Sequence, residues 1–403
     1  MKTLKILMTS SFYPPYHVGG ACVHVKYLAE ELAKRGHEVH VIHSLDAYRI
    51  KRDRRGLVRD GNDRGNVHVH SIESHLKMVD PLMAYATGKS PHIQREFERV
   101  LASVQPDIVH HHNTSLLGYS VFNRIDRIPC LYTAHDYWLI CPTSNLLRNR
   151  REVCHRKTCF SCAIVHRRPP QLWRRLARSS LRSAIRSIDV ILSPSEYMRR
   201  RLGEEIDQKI ITMPNFVPSP PSDIADAGRS NYFVFVGMLE AHKGIMQLLR
   251  AFEEIRHDRD CGLVIVGDGS LRGSVMQFIE RNSLTNRVWY EGFVDNAKLY
   301  SLYKGALALV VPSVWPENAP LVALEALSVG TPVVAANSGG LPEIVGKTDE
   351  RLLFKDWEHL RSILLDFSRE RFRPDAIRKV YRNNFSPGKY IDEYMKIARS
   401  FAG

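Results

Sequence analysis

The 403-residue sequence predicts an α/β protein made of two Rossmann-like, doubly wound units. Its length exceeds that of most single domains, so two domains of about 150 to 200 residues are expected. With 44% hydrophobic and 25% charged residues, its composition is that of an ordinary globular protein. Strand-like apolar runs alternate with amphipathic helical segments along the chain, which favours parallel sheets covered by helices on both faces.

Six apolar runs, each followed by a polar or glycine-bearing turn, predict the strands of a first sheet. In chain order they read LKILMTS, EVHVIHS, DIVHHHN, PCLYTAHD, DVILSPS and KIITMPN. The segment at 218–229, PSPPSDIADAGR, has little apolar surface to bury and predicts a linker. We therefore expect an N-terminal domain over residues 1–217.

A second series of strands and helices predicts a C-terminal domain over residues 218–384. Its strands read YFVFVGML, CGLVIVGD, RVWYEGF, LALVVPS and TPVVAAN, with helices predicted over KGIMQLLRAFEEIR and NAPLVALEALSVG. The last segment, at 385–403, places apolar side chains at helical spacing after a Ser-Pro start and predicts a closing helix. These side chains are Tyr390, Ile391, Tyr394, Ile397 and Phe401.

Positive charge is concentrated in the N-terminal half of this chain, which has a formal net charge of +14. Between Arg148 and Arg186 there are twelve Lys and Arg residues and one acidic residue, Glu152. Such a patch attracts phosphate-rich partners, including anionic lipid head groups, lipid-linked diphosphates and nucleic acid. No apolar window approaches the roughly 18 to 20 residues of a membrane span, so any membrane association is expected to be peripheral.

Two glycine-rich turns are candidate phosphate sites. Gly19 and Gly20 separate a predicted strand from a predicted helix, where backbone amides can approach an anion, although such turns also serve plain packing. Gly267, Gly269 and Gly273 are spaced G-x-G-x3-G, which departs from the G-x-G-x2-G fingerprint of dinucleotide-binding proteins. The sequence therefore argues against a nicotinamide-dependent dehydrogenase.

The acidic pair Glu317 and Glu325 is the strongest chemical signal. Glu317 precedes a predicted helix that Asn318 is expected to cap and Pro320 to open, leaving the backbone amides at 319–322 free to face an anion. Carboxylates at these positions can accept hydrogen bonds from the vicinal hydroxyls of a sugar. The alternative is that both acids merely compensate the helix dipole.

These motifs and their order resemble the retaining GT-B glycosyltransferases of family 4, in particular bacterial polysaccharide-assembly members, over nearly the whole chain. The resemblance implies a GT-B fold, in which two facing Rossmann-like domains enclose a cleft and the last helix returns to the N-terminal domain. The motifs that carry it are the Gly19-Gly20 turn, PDIVHHHN, YTAHDYW, SPSEYM, MPNFVP, FVGMLEAHKG, IVGDGS and the E-x7-E pair within PLVALEALSVGTPVVA.

By this resemblance, His135, Glu317 and Lys243 are the expected catalytic residues. In similar enzymes Glu325 would hold the donor ribose, Glu317 and the following amides would contact the transferred sugar and diphosphate, and Lys243 would neutralise the phosphates. Where the family usually has arginine in G-R-L-x3-K-G, this chain has Met238. The expected donor-binding set is Gly19, Gly20, Lys243, Asn318, Ala319, Leu321, Val322 and Glu325.

The same resemblance implies a metal-independent, anomer-retaining transferase that needs no cofactor and uses a nucleoside-diphosphate sugar. The acceptor would be a glycan or a polyprenyl-linked sugar, and the location cytoplasmic, with the inner face of the plasma membrane as a peripheral site. No metal-binding D-x-D is evident, and His110, His111 and His112 cannot all bind one metal because side chains alternate along a strand. A sugar-nucleotide epimerase and a nucleic-acid-binding protein are the alternatives. The sequence leaves the donor base, the sugar, the acceptor and the oligomeric state open.

A basic insert at about 141–170 contains four closely spaced cysteines. They can hold structural zinc, remain as thiols or form disulfides, and the spacing alone does not decide between these states. The cysteines are Cys141, Cys154, Cys159 and Cys162.

The segment after the insert predicts one amphipathic helix, either an ordinary sheet-covering helix or a docking face for an anionic membrane. Its apolar stripe is Trp173, Ala177, Leu181, Ala184 and Ile188, and its basic stripe is Arg174, Arg175, Arg178, Arg182 and Arg186.

Overall fold

The computed structural model describes residues 3–16, 18–51, 65–123, 128–149, 152–168, 171 and 173–401. The chain forms two compact units. Unit 1 consists of Met1–Arg150, Cys154–Met213 and Tyr390–Gly403, and unit 2 of Arg151–Val153 and Pro214–Lys389. No helix among the described residues is long and apolar enough to cross a bilayer.

The strands up to residue 213 are β1 Lys5–Thr9, β2 Glu38–Ser44, β3 Val67–Ile72, β4 Ile108–His111, β5 Cys130–Thr133, β6 Leu147–Arg148, β7 Glu152–Val153, β8 Val190–Ser193 and β9 Ile210–Thr212. The helices are α1 Gly20–Lys34, α2 Leu45–Lys51, α3 Val79–Thr87, α4 Pro91–Val104, α5 Cys159–Val165, α6 Trp173–Leu176, α7 Arg178–Arg186 and α8 Glu196–Gly203.

The later strands are β10 Tyr232–Val236, β11 Gly262–Val266, β12 Val288–Gly292, β13 Leu309–Val311, β14 Val333–Ala336 and β15 Leu353–Phe354. The helices are α9 Ile245–Glu254, α10 Arg272–Arg281, α11 Asn296–Gly305, α12 Leu321–Ser328, α13 Leu341–Val345, α14 Trp357–Asp366, α15 Pro374–Phe385 and α16 Pro387–Phe401. One 3₁₀ turn that matters for the site spans Ala241–Lys243.

Unit 1 contains a seven-stranded sheet in the order β3-β2-β1-β4-β5-β8-β9, and its strand pairs are parallel. Central strands such as β4, β5 and β8 are buried throughout. The order reverses beside β1, as in a doubly wound Rossmann-like fold. The strand β3 is an addition to the predicted set, because its alternation of valine with polar histidine lacks the continuous apolar run of a central strand.

Unit 2 contains a six-stranded parallel sheet in the order β12-β11-β10-β13-β14-β15. This is a second doubly wound arrangement, so the prediction of two Rossmann-like units is confirmed. The edge strand β15 has two residues and is too short to give a periodic signal.

The helix α16 begins in unit 2 and continues into unit 1 from Tyr390 onward. Within unit 1, Tyr390, Ile391 and Tyr394 are buried, and the Tyr394 hydroxyl lies 3.2 Å from Nδ1 of His110. The apolar face of this terminal helix is therefore part of the unit 1 core.

Candidate active site

The loop between β13 and α12 carries Glu317, and α12 itself carries Glu325. The helix begins at Leu321, and Pro320 occupies the N-cap position with φ −66° and ψ 127°. No side chain caps this helix, so the prediction that Asn318 caps it and Pro320 is its first residue is wrong. The amides of Leu321 and Val322 have no hydrogen-bond acceptor among the described residues, which leaves two donors at the positive end of the helix.

Glu317 is buried in this loop and forms an ion pair with Lys243. Its Oε1 accepts hydrogen bonds from Lys243 Nζ at 2.6 Å and from Ser313 Oγ at 2.7 Å. Burial by itself raises the pKa of Glu317, but the charge and hydrogen bond of Lys243 outweigh it and the pKa is lowered. Glu317 is therefore a carboxylate at neutral pH, held beside the ammonium group.

Glu325, eight residues later, lies in the opposite electrostatic situation. It is 8% exposed, and its Oε2 accepts a hydrogen bond from the Tyr303 hydroxyl at 3.1 Å. Burial raises the pKa of Glu325 to about 7, because this one hydrogen bond only partly offsets the loss of water. Its carboxyl group is thus poised between its neutral and ionised forms, and a ligand that donates further hydrogen bonds would favour the carboxylate.

The site loops of unit 2 pack against one another through glycines. A Cβ on Gly267 would collide with the carbonyl oxygen of Gly237. A Cβ on Gly269 would lie 2.6 Å from the carbonyl oxygen of Leu239. A Cβ on Gly339 would collide with the backbone of Glu317. These glycines allow close backbone contact, which explains the G-x-G of Gly267 and Gly269 without a dinucleotide.

Two further backbone interactions position the Glu317 loop. The Gly340 backbone amide donates to the Glu317 carbonyl at 2.6 Å. The side-chain amide of the buried Asn215 donates to the Ala319 carbonyl at 2.9 Å. Asn215, Ser313 and Tyr303 are site residues that the sequence reasoning missed. Tyr303 lies 22 residues from Glu325, so no local spacing could have indicated it.

The Gly19-Gly20 turn and His135 belong to unit 1. Gly19 is the N-cap of α1 with φ 80°, a conformation that favours glycine, and both glycines are exposed. Further along the same helix, the buried His24 ring contacts the His135 ring with centroids 5.1 Å apart. The predicted site residues are thus divided between the units, with Lys243, Asn318, Ala319, Leu321, Val322 and the two glutamates in unit 2.

The half-buried His135 belongs to a cluster of imidazoles whose other members are buried. Its Nε2 lies 3.0 Å from Nδ1 of His112, and the His110 and His112 rings have centroids 4.0 Å apart. His111 turns to the other side of β4, where its Nδ1 lies 2.7 Å from the Thr9 hydroxyl. Burial lowers the pKa of His135 to about 3 and those of His24, His110 and His112 well below their ordinary value. All four rings are therefore neutral at physiological pH.

Two sets of potential metal ligands converge to within 4.8 Å among the described residues, namely His24 with His112 and His135, and Glu38 with His40 and His68. The four insert cysteines are not such a set. They are free thiols that line one cavity of about 100 Å³, and burial, with the neighbouring cysteines, raises the pKa of Cys154 and Cys159. The zinc site left open by the sequence is therefore not assembled by these thiols in this structure.

The basic segment after the insert is not one helix. It divides at Ala177 into α6 and α7, and Arg174 is not on a solvated stripe as predicted. Its guanidinium donates to the carbonyls of Trp138 at 2.6 Å and Leu139 at 3.2 Å, and burial lowers its pKa to about 10. The side chain of Arg175 lies outside the described residues. The exposed arginines of α7 are Arg178, Arg182 and Arg186.

The sequence matches two descriptions of protein families, which together cover most of the chain. Residues 18–219 match "Glycosyltransferase Family 4", and residues 222–379 match "Glycosyl transferases group 1". An uncharacterized glycosyltransferase of Methanocaldococcus jannaschii is 28% identical over 378 residues, which cover 85% of this chain and 83% of that protein.

Solved structures share the fold at low sequence identity. Sucrose-phosphate synthase from Thermosynechococcus elongatus superposes with a TM-score of 0.73 at 20% identity, with 99% of both chains covered. The catalytic domain of starch synthase IV from Arabidopsis thaliana, bound to ADP and acarbose, gives 0.70 at 15% identity, with 100% of both chains covered.

Proposed function

The chain belongs to glycosyltransferase family 4, and we propose that it transfers a sugar from a nucleoside-diphosphate sugar to a hydroxyl of a glycan or lipid-linked acceptor, with retention of anomeric configuration. The observation that carries the proposal is the ion pair of Lys243 and Glu317 beside the open amides that begin α12. This combination offers positive charge to a diphosphate and a carboxylate to sugar hydroxyls.

The diphosphate would be stabilised most as it leaves. When the glycosidic bond breaks, the leaving phosphate gains negative charge, so Lys243 and the amides of Leu321 and Val322 would bind the transition state more tightly than the ground state. Met238 adds no charge to this site, which places more of the electrostatic role on Lys243. Loss of a single preorganised donor of this kind typically costs about 2.7 to 4 kcal/mol of transition-state stabilisation.

Glu325 suits a ribose. Its carboxyl group is buried beside Tyr303 and has a pKa of about 7, so the two vicinal hydroxyls of a ribose would supply the hydrogen bonds that the ionised form lacks. Binding of a nucleotide would then ionise Glu325. The starch synthase structure, bound to ADP, is an example of a related fold that binds a nucleoside diphosphate.

His135 suits a positioning role at the sugar. A neutral imidazole does not repel the positive charge that develops on the sugar ring, whereas an imidazolium would. The contact with His112 fixes the orientation of the ring, and its pKa of about 3 keeps it uncharged. We assign it to donor positioning rather than to proton transfer, because a general acid or base needs a pKa near the working pH.

Retention is proposed to proceed by attack on the face from which the diphosphate departs. The bond from the anomeric carbon to the phosphate oxygen breaks, the acceptor oxygen bonds to that carbon, and the acceptor proton passes to the leaving phosphate. In this scheme Lys243 and the helix amides supply the positive charge. The exposed Asp258 and Asp260, which lie just before β11, take no part in the reaction.

A donor panel tests the proposal. We would measure thermal stabilisation by UDP-, GDP- and ADP-sugars for the wild type, Glu325→Ala and the exposed control Glu280→Ala. The stabilising donor should bind Glu325→Ala about 10- to 100-fold more weakly, because two hydrogen bonds to a charged group are lost. It should bind the control Glu280→Ala as tightly as the wild type. Equal binding by both variants would remove Glu325 from the site.

The reaction itself is read from its product. Nuclear magnetic resonance of the product should show the sugar linked to an acceptor with the anomeric configuration of the donor. A rearranged nucleotide sugar formed without any acceptor would instead identify an epimerase. An inverted linkage would refute the retaining scheme while leaving the donor site intact.

A further inference from the structure

Unit 1 contains a groove of about 730 Å³ beside α7 that the proposed reaction does not use. Its apolar lining includes Ile140, Phe160, Leu181 and Ile185, and its basic lining includes Arg178 and Arg182. A groove that is apolar inside and cationic along one edge matches an amphiphile with a negatively charged head group.

Among the described residues, no acidic side chain is paired with the arginines at this edge. Arg178, Arg182 and Arg186 repeat every four residues along one side of α7, are exposed, and form no ion pair among the residues that the structure describes. On the neighbouring helix α8 the pattern is different, since Arg199 and Arg200 pair with Glu196. Three like charges at this spacing repel one another, so the arrangement favours an external anion.

Large apolar side chains are exposed next to this charge. Phe160 is 62% exposed and Ile164 is 58% exposed, one turn apart on α5, while Leu176 on α6 is 82% exposed. Phe160 also lines the groove, which makes the apolar and basic features continuous. Water is an unfavourable environment for such a cluster, and the acyl region of a bilayer is a favourable one.

We propose that α5, α6 and α7 form a docking face for a membrane of anionic phospholipids. The arginines of α7 bind lipid phosphates, while Phe160, Ile164 and Leu176 enter the boundary between head groups and acyl chains. Lys157 contributes less charge because it is paired with Glu205. Nucleic acid would use the arginines but has no hydrocarbon for the three apolar side chains. The docking face concerns unit 1 alone and does not depend on the identity of the donor.

Sedimentation with vesicles tests whether the arginines of α7 contribute to membrane binding. The full-length protein is mixed with vesicles of equal parts phosphatidylcholine and phosphatidylglycerol, or of phosphatidylcholine alone. We expect binding to the anionic vesicles, and a loss of at least about 100-fold in the variant Arg178→Glu, Arg182→Glu, Arg186→Glu. The matched control has the same change of charge on exposed lysines of unit 2, Lys298→Glu, Lys347→Glu, Lys379→Glu, and should bind nearly as the wild type. Equal loss in both variants would show that net charge alone is responsible and would overturn the docking face.

A second variant tests the apolar contribution without any change of charge. Phe160→Ser with Ile164→Ser should release the protein from anionic vesicles at high salt, and leave its weak binding to a duplex oligonucleotide unchanged. If this variant binds vesicles as tightly as the wild type, or if the wild type prefers the oligonucleotide, the proposal is refuted in favour of a polyanion site. Circular dichroism confirms that each variant is folded. Sedimentation requires no turnover, so it can fail or succeed independently of the donor panel. A negative result in one experiment therefore does not decide the other.

Discussion

At the scale of single residues, the candidate site depends on how two buried carboxyl groups are paired. Glu317 faces an ammonium group and keeps its charge, whereas Glu325 faces a neutral hydroxyl and has its pKa raised to about 7. Divergent pKa values of neighbouring acids commonly mark groups with different chemical roles. Here the difference suits one acid that stays charged beside phosphates and another that ionises when a ligand binds.

Glu325→Gln should stabilise the free protein at high pH. A carboxyl group whose pKa is raised from 4.5 to about 7 favours the folded state below about pH 4.5 and loses that contribution as pH rises through 7. The difference corresponds to about 3 kcal/mol, which the neutral amide would not lose. Calorimetry at about pH 5 and pH 8 should therefore show that Glu325→Gln becomes more stable relative to the wild type as the pH rises. The exposed control Glu280→Gln should keep the same stability relative to the wild type at both pH values, and the same result for Glu325→Gln would contradict the raised pKa.

Lys243→Met should destabilise unit 2 by about 3 to 5 kcal/mol, because it leaves the buried Glu317 carboxylate without its counter-charge. Adding Glu317→Gln should restore most of that free energy of unfolding, since no buried charge remains. Transfer activity should stay low in both variants. Urea unfolding with a turnover assay separates the two effects, and a double variant no more stable than Lys243→Met would count against the ion pair.

At the scale of elements, the ends of strands and helices are set by close backbone contacts. Gly244 ends the 3₁₀ turn that carries Lys243, has φ 74°, and lies so close to the Pro312 carbonyl that a Cβ would collide with its oxygen. The turn after β10 and the loop after β13 are therefore held together by a position that only glycine can fill. The same contact places Lys243 beside Glu317.

Gly244→Ala should cost more than about 2 kcal/mol, through both the clash and the positive φ, and should weaken nucleotide binding by displacing Lys243. Gly273→Ala is the matched control. Gly273 lies in the first turn of α10 with nothing within 4 Å of an added Cβ, so alanine should stabilise the protein by up to about 1 kcal/mol. Thermal melting of the two variants should give shifts of opposite sign, and two similar shifts would refute the packing argument.

At the scale of the whole molecule, the two units differ in how they should respond to pH. Unit 1 contains four neutral histidines, namely the buried His24, His110 and His112 and the half-buried His135. Their lowered pKa values mean that the unfolded chain binds more protons. Stability from these groups is complete above the ordinary histidine pKa of about 6.5 and is lost as pH falls below it. Each group contributes up to about 1.4 kcal/mol per pH unit.

His24→Phe should therefore make the protein less sensitive to acid. Between about pH 7 and pH 5 the wild type should lose unfolding free energy steeply, and the variant should lose it with a slope lower by about one proton. The exposed control His257→Gln should keep the slope of the wild type. Urea unfolding at several pH values measures these slopes, and a slope unchanged in His24→Phe would show that His24 is not buried as a neutral ring.

The sequence predicted much of the fold and part of the site because the signals for these features lie within short stretches of the chain. Continuous apolar runs predicted the central strands, but β3, with its alternating histidines, and the two-residue β15 gave no such run. The pair Glu317 and Glu325 stood out by spacing and family resemblance, whereas Asn215 and Tyr303 reach the site from distant segments. The roles assigned to His135 and to the Gly19-Gly20 turn remain predictions.

By itself the sequence determined the α/β class, the two doubly wound units and the family, because periodicity and motif order are local properties of the chain. Only the tertiary structure decided that Arg174 is half-buried and bound to backbone carbonyls while Arg178 is exposed. It also decided that Glu317 is charged while the pKa of Glu325 is about 7. Burial and ionisation depend on groups that are far apart along the chain and are brought together by folding.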